Sequence, residues 1–217
     1  MQLIIGNQNY SSWSLRAWVI FTQFDIDVEL VKLKLFTEEF YEALADINPA
    51  AKVPVLVDSQ VTVWDSLAIL EYVNERYLDG RAWPKDINER AKARALSAEM
   101  HSGFMALRNE LPMNCRAKRT LELTVDVKKE IARIDDIWST QMTQNPDGWL
   151  FGEWSIADAM FAPVALRFQS YGVLLSGSAA IYQQRVLGSL AVKRWLDEAS
   201  LETEMIEEAE VGVMVSG

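Results

Sequence analysis

Two hydrophobic periodicities alternate along the first third of the chain. Four short apolar runs, bounded by polar or turn-forming residues, predict strands at 1–5, 27–33, 53–57 and 61–64. Three stretches in which apolar residues recur every three or four positions predict helices at 15–22, 40–45 and 66–77. The predicted order is β-α-β-α-β-β-α, which is typical of an α/β domain.

The strand pattern ends at the segment DGRAWPKD, which combines glycine, proline and charge at 79–86. Such a segment is typical of a domain boundary. Beyond it, apolar residues at helical spacing predict helices at 88–111, 121–142, 156–168 and 187–196. We therefore predict an α/β domain over 1–79, an all-helical bundle over 87–201, and an acidic tail over 202–217 that we expect to be flexible.

A capping box is predicted in the helical half. Ser155 precedes Asp158 by three positions, ahead of the apolar run 159–166. A serine followed three residues later by an acidic residue satisfies the free N–H groups at the start of a helix. We expect this box to begin a buried helix.

The charge balance and the scarcity of cysteine and histidine exclude several classes of function. The chain has 21 Lys and Arg against 31 Asp and Glu, a formal net charge of −10, and so lacks a basic face for nucleic acid. With one cysteine, Cys115, and one histidine, His101, it cannot form an internal disulfide or a Cys/His zinc site. Neither a signal peptide nor an apolar stretch of about 20 residues is present. We expect a soluble, cytoplasmic protein that binds neither nucleic acid nor membrane.

A proline at the start of a predicted strand is the first candidate binding feature. Pro54 follows Lys52 and Val53, and proline cannot donate a hydrogen bond to a sheet ladder. If the Val53–Pro54 bond is cis, the main-chain groups of Val53 face outward and can pair with an extended, peptide-like ligand. In trans, Pro54 is an ordinary edge-strand proline.

Asp65 and Ser66 lie between the hairpin and the helix predicted at 66–77. Ser66 is well placed as the N-cap of that helix. A helix N-terminus also offers free N–H groups and positive potential, so with Ser66 it can hold a carboxylate while Asp65 holds an adjacent ammonium. The pair therefore predicts either a cap alone or a cap that also binds an amino-acid head group.

Hydroxyl-bearing side chains precede the first predicted helix at Tyr10, Ser11 and Ser12. A hydroxyl at a helix start can donate to a thiolate and lower the pKa of that thiol. Because a free thiol has a pKa of about 8.5, stabilising its anion by about two units makes the thiolate the main species at neutral pH. The nucleophile is then the sulfur of a ligand. The alternative is that the serines only cap the helix.

Together these features resemble the glutathione transferase superfamily. The motifs are S-x-x-S-x-R at 11–16, N-P-x-x-K-V-P-V-L at 48–56, D-S-x-A-I-x-E-Y at 65–72 and S-I-A-D at 155–158. The resemblance covers essentially residues 1–200 and includes the serine-type bacterial members, similar to the zeta and tau classes. It implies a thioredoxin-like N-terminal domain that binds glutathione and an all-helical C-terminal domain.

The resemblance also implies which residues bind glutathione. The valine before the proline pairs with the cysteinyl backbone, and the acidic residue with its serine binds the γ-glutamyl group. The residues implied here are Lys52, Val53, Pro54, Asp65 and Ser66. For the glycyl carboxylate the chain offers Lys34 or Lys52 as the cation.

For the thiol, the spacing to the arginine of the first helix implies Ser11 as the activating residue. Ser12 can share or take the role, and Tyr10 is a minor alternative. Trp13 stands where a zeta-like enzyme has cysteine, which puts maleylacetoacetate isomerase activity in doubt.

The acceptor pocket that the resemblance implies lies between the two domains. Its candidate residues are Trp13, His101, Phe104 and Arg108, of which Arg108 could receive an anionic group. The alternative is that these residues are core or structural, as apolar residues at helical spacing and a lone histidine usually are. Gly103, inside the helical pattern, favours close approach of a ligand or a neighbouring helix.

Three functions remain open on this reading. The first is a glutathione transferase that directs the thiolate onto a small hydrophobic electrophile, as in detoxification. The second is a glutathione-dependent cis-trans isomerase, and the third is a non-catalytic binding or stress protein with the same fold. Glutathione is the implied co-substrate, no metal is expected, and a homodimer is expected by analogy. A thiol-disulfide oxidoreductase is disfavoured because Cys115 lies in the helical half.

Overall fold

The apolar runs of the N-terminal part form one four-stranded sheet. The computed structural model describes residues 1–48 and 50–215 and places the strands in the order β2-β1-β3-β4. The strands are β1 (Gln2–Ile5), β2 (Glu29–Lys32), β3 (Val55–Asp58) and β4 (Val61–Trp64). β1 runs parallel to β2 and antiparallel to β3, which pairs antiparallel with β4. The predicted thioredoxin-like α/β domain is confirmed.

Helices flank this sheet and make up the C-terminal part. In the sheet domain they are α1 (Ser12–Gln23), α2 (Glu38–Leu44) and α3 (Ser66–Tyr77). The others are α4 (Ile87–Ser102), α5 (Met105–Glu110), α6 (Val125–Gln144), α7 (Ile156–Ser170), α8 (Gly177–Gly188) and α9 (Leu190–Leu201). α1 packs against α3, α7 and α9, so the first helix contacts both parts of the chain. The predicted helical C-terminal domain is confirmed, and the boundary at 79–86 stays a prediction.

The helices predicted from the sequence differ from the structure in two places. The single helix expected over 88–111 is two helices, because α4 ends at Gly103 and Phe104 has a φ of +58°, which cannot continue a right-handed helix. α8 was not predicted at all. Its buried positions lie among small and polar residues, so the apolar spacing is weak.

α7 is the central helix of the C-terminal domain. All of its residues except Gln169 are buried, as expected for a helix surrounded by others. The predicted capping box begins it: Ser155 N–H donates to Asp158 Oδ2 at 2.8 Å. Asp158 Oδ1 also accepts from the hydroxyl of Tyr182 at 2.9 Å, and burial raises the pKa of Asp158 to about 6.

Trp138 of α6 fills the centre of the helical core. Its side chain is fully buried. It contacts the rings of Phe161, Phe168 and Tyr182, with centroids 4.8 to 6.0 Å apart. Such edge-on and tilted aromatic pairs add to the apolar area that the core removes from water.

Residues 202–215, which follow α9, contact the rest of the chain through hydrogen bonds, and the flexibility expected for this tail stays a prediction. It contains a 3-10 turn (Glu207–Ala209) and a strand, β6 (Val213–Met214). β6 pairs antiparallel with β5 (Arg119–Thr120), so the helical half also contains a small two-stranded sheet that we did not predict. Strands of two residues are too short to produce an alternating pattern. Residues 216 and 217 lie outside the described residues.

Candidate functional site

A cavity of about 260 Å³ opens where the sheet domain meets the first helices of the helical domain. It brings together seven residues that the sequence singled out: Trp13, Lys52, Val53, Pro54, Asp65, Ser66 and His101. It also includes three that sequence reasoning did not assign: Asn48, Ala50 and Trp64. A concave site with a few converging polar groups is the usual form of a small-molecule binding site.

The loop before β3 forms one wall of the cavity. The Val53–Pro54 peptide bond is cis, and the sheet ladder begins only at Val55, so the main chain of Val53 lies ahead of the paired strand. Buried Asn48 shapes this loop by donating from Nδ2 to the carbonyl of Lys52 at 2.8 Å. The N-P-x-x-K spacing was the signal that could have identified Asn48. Pro49 lies outside the described residues.

The start of α3 forms a second wall, and here the predicted cap was wrong by one residue. Asp65, not Ser66, is the N-cap: its Oδ1 accepts from the N–H groups of Leu67 and Ala68 at 2.9 and 3.2 Å. The backbone of Asp65 has φ +84° and ψ +130°, a strained conformation of the kind that clusters at ligand-binding sites. Its second oxygen, Oδ2, lies 3.1 Å from Nε2 of His101.

Ser66 is therefore the first residue of α3, and its hydroxyl is not needed for the cap. The residue is 1% exposed. Among the described residues its Oγ has no hydrogen-bond partner. A buried hydroxyl without a partner carries a free-energy cost that a ligand can remove. Ser66 is thus prepared to bind an acceptor or donor that enters the cavity.

The two candidate serines at the start of α1 differ in their hydrogen bonds. Ser11 caps the helix, and its hydroxyl donates to Ser14 Oγ at 2.7 Å. Ser12 Oγ accepts from the guanidinium of Arg167 at 3.1 Å, and within the described chain its own proton is given to no acceptor. Neither serine lines the cavity, but Trp13, the next residue, does.

Three arginines surround this serine pair and Trp13. The guanidinium carbons of Arg16 and Arg108 lie 4.6 and 4.7 Å from the centroid of the Trp13 ring, which is cation-π geometry. Burial, followed by repulsion from Arg108 and Arg167, lowers the pKa of Arg16. Burial, followed by repulsion from Arg108, lowers the pKa of Arg167 to about 10. Because arginine is not deprotonated in proteins, these three guanidinium groups place positive charge beside the serines.

Besides the two serines, four other candidates named from the sequence do not line the cavity. Phe104 is the N-cap residue of α5 and is buried. Arg108 donates to the carbonyls of Met100 and His101 and reaches the site only through Trp13. Lys34 is paired with Glu204 at 2.9 Å, and the hydroxyl of Tyr10 donates to Glu210 at 2.6 Å. Of the two lysines considered for a carboxylate, Lys52 is the one at the cavity.

Three further observations concern cysteine reactivity, metal ligands and membrane-spanning helices. Burial raises the pKa of the Cys115 thiol to about 12, so this side chain is a poor nucleophile. Among residues 1–48 and 50–215, no group of three or more His, Cys, Asp or Glu is arranged to hold a metal ion, and no helix is both long and apolar enough to cross a membrane.

A second cavity, of about 690 Å³, lies at the end of α1 and the segment between α3 and α4. Aromatic side chains contribute much of its wall: Phe24, Trp83, Phe151 and Trp154. None of the residues selected from the sequence as site candidates lines it, although residues of the 79–86 segment and Ser155 do.

Comparison with known proteins gives one family match and several relatives. Residues 10–76 match the family model described as "Glutathione S-transferase, N-terminal domain". A "Probable maleylacetoacetate isomerase" from Caenorhabditis elegans is 40% identical over 99 residues, which are 46% of this chain and 46% of that protein. A "Stringent starvation protein A homolog" from Pasteurella multocida is 29% identical over 170 residues, 72% of this chain and 77% of that protein. The match thus spans about half the length of the nematode relative.

Solved structures show the same fold at low identity. A glutathione transferase homolog from Burkholderia gl BGR1, solved with bound glutathione, has a TM-score of 0.72 at 23% identity, covering 91% of this chain and 97% of that one. A sphingomonad glutathione S-transferase complexed with glutathione has a TM-score of 0.66 at 20% identity, covering 93% of this chain and 100% of that one.

Proposed function

We propose that this protein binds glutathione. Two findings support the proposal: residues 10–76 match the glutathione S-transferase N-terminal domain family, and the chain has the fold of a glutathione transferase. We further propose that it activates the glutathione thiol for attack on a small hydrophobic electrophile. The observation that carries this proposal is the cavity in which the Val53–Pro54 loop and the Asp65–Ser66 helix start face one another beside Trp13.

Each part of the tripeptide has a matching group in this cavity. The main chain of Val53 pairs with the cysteinyl backbone as an added strand. The free hydroxyl of Ser66 and the N-terminus of α3 bind the γ-glutamyl carboxylate, and Asp65 Oδ2 binds the ammonium next to it. Lys52 is the cation for the glycyl carboxylate. The tripeptide is then held at three points, which fixes its sulfur.

The serines at the start of α1 stabilise the thiolate. The thiol proton leaves to solvent, and a hydroxyl donates to the sulfur anion, whose charge the nearby arginines also favour. The proton of Ser12 is available because its oxygen accepts from Arg167, whereas the proton of Ser11 is given to Ser14. This favours Ser12, although Ser11 has the position that the family resemblance implies. The thiolate then attacks the electrophilic carbon, and either a leaving group departs or the adduct takes up a solvent proton.

Alanine variants of the two serines test this mechanism. We expect Ser12→Ala or Ser11→Ala to lower kcat with an activated aryl halide about tenfold or more, and to move the rising limb of the pH profile upward. Glutathione affinity, measured by calorimetry, should change little because the cavity walls remain. Ser200→Ala is the control, since the hydroxyl of Ser200 bonds only within its own helix. Unchanged kcat and pH profile in both variants would exclude serine activation.

A second candidate is a glutathione-dependent cis-trans isomerase. The relative from Caenorhabditis elegans is named as a probable maleylacetoacetate isomerase and shares 40% of residues over the matched half. In that reaction the thiolate adds to a conjugated double bond, the new single bond rotates, and the thiolate leaves again. Turnover of maleylacetoacetate without net consumption of glutathione identifies this activity, while conjugate formation with an aryl halide supports transfer.

A non-catalytic role is the third candidate, because the chain also resembles proteins named as stringent starvation protein A homologs over 72% of its length. Failure to bind immobilised glutathione would favour this role over both enzymes. We also propose a homodimer, by analogy with the family. Sedimentation equilibrium measures it directly, and a mass near 24.6 kDa in solution would contradict it.

A further inference from the structure

The segment after α9 contacts the loop that carries the candidate serines. We propose that residues 202–210, here called the C-terminal clasp, hold the β1–α1 loop (residues 6–11) in the position that thiol activation needs. Glu202 and Glu210 are then positioning residues for the serines. This inference rests on the proposed function, and it adds a role for two carboxylates that never touch the tripeptide.

Glu202 fixes the main chain of the loop. Its two carboxylate oxygens accept from the N–H groups of Gln8 and Asn9 at 2.6 and 2.9 Å. A carboxylate that binds two consecutive peptide N–H groups restrains the orientation of both peptide planes. Hydrogen bonds to an ionised acceptor are also about twice as strong as neutral ones.

Glu210 fixes the next side chain of the loop. Its Oε1 accepts from the hydroxyl of Tyr10 at 2.6 Å and from Nδ2 of Asn114 at 2.9 Å. Its other oxygen pairs with Arg119. The side chains of Arg119 and Glu210 are only 10% and 16% exposed, so solvent screens this pair weakly. Tyr10 is thereby an anchor for the clasp and not a candidate for thiol activation.

The helical domain holds the same loop from other directions. Asn9 Nδ2 donates to Asn114 Oδ1 at 3.1 Å, and Asn9 Oδ1 accepts from the N–H of Arg116 at 2.9 Å. The indole of Trp195 donates to the carbonyl of Gln8 at 2.8 Å. Arg116 in turn donates to the carbonyls of Glu202 and Glu204. The clasp therefore joins a hydrogen-bond network that also includes Trp195 of α9 and residues 114–116.

The position of Ser11 depends on this network. The N–H of Ser11 donates to the carbonyl of Asn7 at 2.8 Å, so residues 7–11 form one tight turn around the clasped residues. A hydroxyl donates to the sulfur only when it lies close to it and its O–H bond points toward it. A displacement on the order of 1 Å removes most of that interaction. Residues 8–10 cannot move without moving the serines that follow them.

Substitution of the clasp carboxylates tests the inference in the full-length protein. We expect Glu202→Ala and Glu210→Gln to lower kcat by about tenfold. The rising limb of the pH profile should move upward because the thiolate loses its donor. The dissociation constant of glutathione should stay within about twofold, because the cavity walls are unaffected. Glu202→Gln should recover part of kcat, since its amide oxygen can still accept one N–H.

Glu198→Ala is the matched control. Glu198 lies four positions before Glu202 and forms an exposed pair with Lys32 at 2.8 Å, but it does not contact the loop. It should leave kcat and the pH profile unchanged. If folded Glu202→Ala and Glu210→Gln variants also retain both, the clasp does not position the serines. Equal losses of kcat and glutathione affinity would likewise overturn the inference, because they indicate general loosening.

Hydrogen exchange separates a failure of this inference from a failure of the proposed function. The amides of Gln8 and Asn9 should exchange slowly in the wild type and faster in Glu202→Ala, with or without any reaction. If the wild type neither binds nor turns over glutathione, the proposed function fails, and so does the catalytic role of the clasp. If the wild type is active and these two amides exchange equally in both proteins, the clasp is absent in solution and only this inference fails.

Discussion

Replacing Asp65 by asparagine separates the two roles that this side chain has in the site. Asp65 Oδ1 caps α3 through two N–H groups, and Oδ2 faces the cavity and His101. Asparagine caps helices as well as aspartate does and has nearly the same shape. The Asp65→Asn variant therefore keeps the fold and loses the charge. We expect its free energy of unfolding to change by less than about 0.5 kcal/mol.

The exposure of the Asp65 carboxylate determines how much glutathione affinity the Asp65→Asn variant should lose. A hydrogen bond to a charged group contributes about 1.5–3 kcal/mol, but the side chain of Asp65 is 42% exposed. Solvent screening places its contribution at the lower end of that range. A loss of about 1.4 kcal/mol raises the dissociation constant of glutathione about tenfold.

Calorimetric titration with two ligands makes the test specific. Glutathione should bind Asp65→Asn about tenfold more weakly than the wild type, whereas an analogue without the α-amino group should bind both proteins equally. Asp86→Asn is the control, since Asp86 caps α4 through Asn88 and Glu89 in the same way but does not line this cavity. Equal weakening of both ligands by Asp65→Asn would refute the assignment of Asp65 to the ammonium.

Three further outcomes are expected. Lys52→Gln should raise the dissociation constant of glutathione about twofold to fivefold. Lys34→Gln should leave it unchanged, because Lys34 is paired with Glu204. Equal glutathione affinities of the two variants would show that Lys52 does not bind the tripeptide. Because burial raises the pKa of Asp158 to about 6, the folded state binds more protons than the unfolded one between pH about 4 and about 6. The unfolding free energy should fall by up to about 3 kcal/mol as the pH rises through that range, and Asp158→Asn should lack this fall in chemical denaturation. Trp138→Ala should cost about 3–5 kcal/mol of stability in the same assay, and a loss below about 1 kcal/mol would contradict its central place in the core.

The parts of the fold that depend on neighbouring residues in sequence were predicted well. The hairpin, α3 and the capping box of α7 all follow from periodicity and capping chemistry. The N-cap of α3 was misplaced because the choice between Asp65 and Ser66 depends on a backbone angle of +84°. Either residue type caps a helix, so the sequence alone does not decide between them.

Only those parts of the site whose residues are adjacent in sequence could be predicted. Residues 52–54 and residues 65–66 each lie on one short segment, and both segments line the cavity. The contact between Ser12 and Arg167 joins residues 155 positions apart, and the pair of Asp65 with His101 crosses between the domains. Periodicity carries no information on such contacts. The contacts of the acidic tail were not predicted for the same reason, since an acidic segment is as typical of a solvated end as of one bound to arginines.

The distance along the chain between the β1–α1 loop and its anchors has a consequence for biosynthesis. Tyr10 and Glu210 are separated by 200 positions. A nascent polypeptide leaving the ribosome therefore exposes the loop long before the carboxylates that secure it have been translated. The N-terminal domain can form its sheet at that stage, since all four strands lie before residue 65. The clasp proposed above, in contrast, can secure the β1–α1 loop only after Glu210 has emerged from the exit tunnel.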